Sequence, residues 1–245
     1  MSISSRISDG AVVFVALASI AIACTPARQS QQPAFPTGGT FMPTNTADIR
    51  VYTDIGIFGD KSVGAPPKLT GESTDSGVVK VFRPIGPPGF RRSTDRPILI
   101  AEDDGKGTTE FYTEIGPYGD KAATAKPVLI ADEVGSGQVK LYKDIGPNGE
   151  KVFNARPILI TEDGTSYTTG STTTRAYNDI NFLGDKNFMA MPIFVTEDGD
   201  RGTARVYRDV DPFGNKNVFA NPAVVIEYRS KLPRSLLIVL VLFAQ

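Results

Sequence analysis

The sequence predicts an all-β protein: six tandem two-stranded hairpins of about thirty residues each, laid side by side in a meander. Three observations predict it. The chain repeats itself at a fixed period. Each repeat holds two short β-branched and aromatic runs, and glycine, proline and acidic turn signals separate those runs. Aligned on its turns, the chain gives units beginning at Arg50, Lys80, Glu110, Lys140, Arg175 and Arg205. The spacing is 30 residues except in the fourth unit, which has 35 and carries the Ser/Thr-rich stretch GTSYTTGSTTT.

Each unit opens on a run such as VKLYKDI, residues 139–145, which reads as a strand. Its third position is always aromatic: Tyr52, Phe82, Tyr112, Tyr142, Tyr177 and Tyr207. A turn of the GPxG kind follows, with glycine at its fourth position throughout (Gly59, Gly89, Gly119, Gly149, Gly184, Gly214), as a type I turn prefers. A basic residue comes next: Lys61, Arg91, Lys121, Lys151, Lys186 or Lys216. After a short loop, Pro67, Pro97, Pro127, Pro157, Pro192 and Pro222 open the second apolar run, and a strand tolerates proline at its start. Runs such as PILI are apolar at successive positions, which predicts strands covered on both faces. An acid closes the strand each time (Glu72, Glu102, Asp132, Glu162, Glu197, Glu227), and a tight turn leads onward.

A lone hairpin is marginal in water because one face has nothing to bury against, so the repeats must share a core. Thirty residues is short for a four-stranded propeller blade, which needs about forty, and this favours the meander. A closed six-bladed propeller-like or barrel arrangement is the alternative. Unit one carries LTG at residues 69–71 where the others are apolar, which leans the expectation toward an open array with atypical ends.

Residues 1–23 are expected to be a signal peptide. AVVFVALASIAIA, residues 11–23, has the length of a signal core and is too short to span a bilayer. Cys24 follows the small-x-small pattern Ala21-Ile22-Ala23, as in a bacterial lipobox, so lipidation at Cys24 and a membrane partner are expected. The expected location is outside the cytoplasm, as a lipoprotein of the inner or outer membrane, in the periplasm or on the cell surface. Residues 24–49, rich in Pro, Thr and Gln, read as a tether. The repeats occupy residues 50–229. Residues 230–245 contain the uncharged, β-rich run LLIVLVLFA. It is expected to form a last strand on the array, an interfacial anchor or a joint to a partner.

The 26 basic and 27 acidic residues nearly cancel, and nothing in the charge suggests a nucleic-acid partner. The chain has no histidine and one cysteine. That excludes Ser-His-Asp and Cys-His catalysis, histidine or multi-cysteine zinc sites, and an intrachain disulfide. No enzyme is expected, because a catalytic site usually breaks a repeat's symmetry and the irregular Ser/Thr stretch lacks an acid–base pair.

Two candidate sites remain. The acidic turns carry Glu102, Asp103, Asp104, Asp132, Glu133, Glu162, Asp163, Glu197, Asp198 and Asp200, carboxylates that could supply some of the six to eight oxygens calcium takes. Against this, acids and glycine are ordinary turn formers, and no D-x-D-x-D-G loop occurs. The aromatic column offers Tyr52, Tyr112, Tyr142, Tyr177 and Tyr207 as a stacking face for carbohydrate, the alternative being packing. The recurrent basic residue and the strand-ending acid are expected to form a ladder of ion pairs, Lys121 with Asp132 for example. Together these features describe an exported, non-catalytic module that displays a hairpin face to a carbohydrate or protein ligand. The alternative is a structural protein that assembles with itself through its terminal segments.

Overall fold

The computed structural model describes residues 41–43, 47–74, 76–84, 90–92, 94–135, 137–165, 172–199, 202–230 and 232–245. The expected leader, Cys24 and most of the tether lie outside the described residues. Strand β1 (Phe41–Pro43) precedes the repeats. Unit one contributes β2 (Ile49–Tyr52) and β3 (Leu69–Ser73), and unit two contributes β4 (Val78–Phe82), the short β5 (Phe90–Arg92) and β6 (Leu99–Asp103). The third unit gives β7 (Thr108–Tyr112) and β8 (Leu129–Val134), the fourth β9 (Gln138–Tyr142) and β10 (Pro157–Thr165). The fifth gives β11 (Thr172–Tyr177) and β12 (Phe194–Gly199), and the sixth β13 (Thr203–Tyr207) and β14 (Val224–Tyr228). Helix α1 (Arg234–Phe243) ends the chain.

Twelve of these strands, two per unit, pair antiparallel in a continuous ring, while β1 and β5 make a separate ladder. The hairpin meander stands, and of the two ways to finish it the closed one is found. β14 pairs with β2 in the register Val225↔Tyr52 to Tyr228↔Ile49, so units one and six are neighbours. The lean toward an open array is therefore corrected. LTG is a fitted strand segment, not a frayed end: a Cβ on Gly71 would lie 3.0 Å from Cδ1 of Ile49, so glycine is what lets Ile49 pack there.

Alternate residues of each strand face inward. Ile49, Val51, Val81, Leu99, Phe111, Leu141, Phe194, Val206 and Ile226 share one buried cluster with Leu236, Ile238, Val239, Leu240 and Val241 of α1. The C-terminal run is thus a helix inside the barrel, not the last strand expected of it. The reason is geometric. Eight strands close around a space that side chains alone fill, and the diameter grows with strand number. Twelve leave a lumen wide enough for a helix, lined here partly by the small Ala101, Ala131, Ala176 and Ala204. No sheet edge is free in the ring, so the backbone of the run can satisfy its hydrogen bonds only within itself, and burial overrides the modest helix propensity of Ile and Val. Arg234 pairs with Asp163, Ser235 shares a 2.8 Å hydrogen bond with Thr109, and at the far end Lys68 donates to the Gln245 carbonyl at 3.1 Å.

The outer faces are covered as well, by the loops of units one, three, four, five and six. Leu99 belongs to the inner cluster while its neighbour Ile100 is buried on the other face, as the two-sided pattern of PILI predicts. Outward positions nevertheless carry Arg50, Lys80, Glu102, Lys140, Glu162 and Glu227, the reverse of the apolar band by which a transmembrane barrel faces lipid. Among the described residues no helix is long and apolar enough to cross a membrane.

Candidate functional site

The repeated residues meet at the boundaries between units. The described loops, those of units one, three, four, five and six, each bend sideways over the preceding unit. There the turn glycine packs on the buried proline that opens that unit's second apolar run: Gly59 on Pro222, Gly119 on Pro97, Gly149 on Pro127, Gly184 on Pro157 and Gly214 on Pro192. A Cβ at any of these glycines would lie 3.2–3.5 Å from the proline Cδ, and all five have φ between +79° and +91°. Both the space and the backbone require glycine. The contact of Gly59 with Pro222 carries the pattern across the seam where the ring closes.

The ion-pair ladder runs the same way. Lys61 reaches Glu227 at 2.7 Å, Lys121 reaches Glu102 at 2.5 Å, Lys186 Glu162 and Lys216 Glu197 both at 2.6 Å, and Lys151 pairs with Asp132. Every one of these lysines takes the acid of the unit before it. The expected pair of Lys121 with Asp132 is corrected accordingly, because the loop crosses to its neighbour instead of folding onto its own second strand. Arg91, the corresponding residue of unit two, lies outside the described side chains.

Beneath the lysines lie the tyrosines. Each ammonium sits 4.2–4.5 Å from the ring centre of Tyr52, Tyr112, Tyr142, Tyr177 or Tyr207, within the range of a cation–π contact. All five rings are at most 8% exposed. A sugar has no open ring face to stack on, and the expected stacking role of these tyrosines is corrected to packing under the loop layer.

Burial opposes the charge of Lys121, but hydrogen bonds to Glu102 and Tyr112 outweigh it and raise its pKa above the usual lysine value. The same balance, with Glu227 and Tyr52 as partners, raises Lys61. Tyr112 itself is pushed up to about 12, first by burial and then by the hydrogen bond its hydroxyl donates to Glu110. The unfolded chain loses this proton near the model-peptide value of 10.0, while the folded chain keeps it until about 12. Between those values the unfolded state binds fewer protons, so stability should fall as pH rises from about 10 to about 12. Chemical denaturation across this window should show a shallower decline for Tyr112→Phe than for the parent, and an identical decline would remove Tyr112 as its source.

The carboxylates considered for calcium are dispersed and engaged. Glu102, Asp132, Glu162 and Glu197 belong to the ladder. Asp163 pairs with Arg234 and accepts from Thr174 at 3.1 Å. Asp103 accepts the Gly105 N–H at 2.9 Å. Asp104 accepts those of Thr108 and Lys106, which hold its carboxyl below the usual range. Glu133 is exposed, Asp198 lines a cavity with Thr196 and Tyr228, and Asp200 lies outside the described residues. Among the described residues no three such ligands converge. This geometry adds nothing to the case for a cation.

The surface feature that sequence reasoning missed lies on the loops. In units one, three, four, five and six each contains two successive turns closed by N–H to C=O hydrogen bonds between residues three apart, for example Gly184 to Asn181 at 3.1 Å and Ala190 to Asn187 at 3.0 Å. The two central residues of such turns protrude. In units four, five, six and one they include Phe153, Phe182, Leu183, Phe188, Met189, Phe213, Val218, Phe219, Ile57, Phe58 and Val63, all exposed. Phe58, Phe153, Phe188 and Phe219 are 90–98% exposed. Ring closure makes these four units consecutive around the barrel. In unit three the same positions hold Tyr118 but otherwise Pro117, Ala123 and Thr124, so the apolar character is confined to part of the circumference. The signal was present in the sequence: large apolar residues at turn centres, where polar and small residues are the rule. No protein-family profile matches the chain, and no curated protein matches it significantly.

Proposed function

We propose that the chain is an exported, lipid-anchored, non-catalytic module whose barrel presents the apolar loop face of units four, five, six and one to a protein partner. The observation that carries this reading is the run of nearly fully exposed phenylalanines on loops whose other recurrent residues are all tied down. Patches of this kind on a soluble surface mark interaction sites, and aromatic residues and Met are enriched at interface centres. The face suits a protein better than an anionic bilayer. The loop lysines Lys61, Lys186 and Lys216 are turned inward to the ladder, while Asp54, Asp179 and Asp209 stand exposed beside the apolar tips. An amphipathic lipid-binding surface would carry its basic residues outward. A partner with an apolar patch and a basic rim matches.

Burial of α1 in the lumen withdraws the C-terminal segment as a joint between copies, which weakens the self-assembling alternative in its original form. The leader pattern and Cys24 support export and anchoring. The test is site-specific photocrosslinking in the source cell. A benzoylphenylalanine at position 188 or 219 should give one discrete heterologous adduct, and the same residue at Thr124 in unit three none. Adducts at all three positions, or adducts only with a second copy of the chain, would overturn the reading. Cys24→Ser should release the protein from the membrane fraction.

A further inference from the structure

Unit five carries two thioethers on its surface. Met189 is 83% exposed and Met191 49%, and neither belongs to the buried cluster of the lumen. Met189 is the second central residue of the turn that Ala190 closes on Asn187. The equivalent turns of units three and four place Thr124 and Asn154 there. Met191 directly precedes the strand-opening Pro192, and in units three and four that position holds Lys126 and Arg156. Polar and charged residues thus serve the fold at both positions, and what the thioethers add is surface character.

Their place on that surface is central. The apolar loop face spans units four, five, six and one, so its midpoint is the joint of units five and six. There Gly214 of unit six seats on Pro192, which puts Met191 at the border of the joint. Met189 follows Phe188, itself 97% exposed. A thioether is an adaptable apolar contact, and it is also readily oxidised. The chain has neither Trp nor His, and its one cysteine, Cys24, lies outside the repeats. Of the four methionines, Met1 falls in the expected leader and Met42 in β1, so the repeats hold only the pair in unit five.

We propose that Met189 and Met191 are modification sites at which a peroxide converts the centre of the apolar loop face to a polar one and so releases the partner. The second half of this rests on the partner reading given above. The lone pair of Sδ attacks one peroxide oxygen. The O–O bond breaks, an S–O bond forms, and the other oxygen leaves as water once protonated. Sulfur loses two electrons and the peroxide gains them. The sulfoxide oxygen is an acceptor in the middle of a patch that a partner must dehydrate, and burying it without a donor is unfavourable. Methionine sulfoxide reductase, with a dithiol as reductant, restores the thioether. The barrel itself stays folded, because its other units carry polar residues at the same two positions.

The mature chain with Cys24→Ser is treated with hydrogen peroxide and followed by peptide mass spectrometry. Met189 and Met191 should each gain one oxygen, and retention on phenyl-agarose should fall. The melting temperature should stay within about 2 °C of the untreated chain, as for an ordinary surface substitution. Methionine sulfoxide reductase with dithiothreitol should restore the retention. A chain with Met189→Leu and Met191→Leu keeps nearly the same apolar volume and should hold its retention through the treatment. In the source cell, peroxide should cut the adduct from benzoylphenylalanine at position 219 at least about fivefold, and the double leucine variant should keep it. Unchanged retention after full oxidation, an equal fall in the double leucine variant, unfolding on oxidation, or an adduct that survives full oxidation overturns the proposal. Absence of any adduct from untreated cells overturns the partner reading instead, and retention on phenyl-agarose then decides the modification sites by itself.

Discussion

Removal of residues 232–245 should abolish the cooperative unfolding of the barrel, seen as loss of the sigmoidal melt and appearance of dye-binding apolar surface. Leu236, Ile238, Val239, Leu240 and Val241 are each at most 1% exposed and share one buried cluster with the inward residues of the strands. Truncating a single buried leucine typically costs about 2–5 kcal/mol, and a whole domain is stable by only about 5–15 kcal/mol. Losing the entire helix forfeits several such terms and leaves an apolar lumen that twelve strands cannot collapse to fill. Leu240→Ala is the graded form of the experiment and should cost about 2–5 kcal/mol by denaturant titration. A truncated chain that melts like the parent would show that the ring holds without its filling.

The second large effect is expected where the start of β13 meets the end of β14. Gly202 has φ +71°, and a Cβ there would collide with the backbone carbonyl oxygen of Tyr228, whose own N–H donates to the Gly202 carbonyl at 2.7 Å. Gly105 has nearly the same backbone, φ +69°, but nothing within 4 Å of where its Cβ would lie. Gly105→Ala should therefore cost only the left-handed backbone penalty, about 1–2 kcal/mol. Gly202→Ala adds a clash between backbones that no side-chain rotation relieves, and should cost roughly 3–4 kcal/mol. It should also speed hydrogen exchange at the Tyr228 amide. Equal costs at the two positions would mean that β13 and β14 separate freely at the end away from the loop that joins them.

The hairpins were legible because their signals are local. Glycine at the fourth turn position, a proline ahead of the second apolar run and alternation in runs such as VKLY each act within a few residues, and β9 and β10 lie where those signals place them. The ladder was only half legible. The recurrence of Lys121, Asp132 and their equivalents announces ion pairs, but which acid each lysine takes depends on the direction in which the loop leans. That direction is set by a glycine meeting a proline some twenty residues earlier in the chain. The tyrosines illustrate the same limit. A ring under a lysine and a ring open to a sugar have the same place in the repeat, and only the loop layer distinguishes them.

The amino-acid sequence alone determined six β-hairpins, the turns between them and the residues that recur at their joints, because these follow from backbone preferences and side-chain alternation over short spans. The tertiary structure alone decided that the ring closes and that the apolar C-terminal run fills it as a helix. Closure depends on twist and stagger summed over all twelve strands. The state of the last run depends on whether a sheet edge or a lumen awaits it, and neither quantity is written in any stretch shorter than the whole ring.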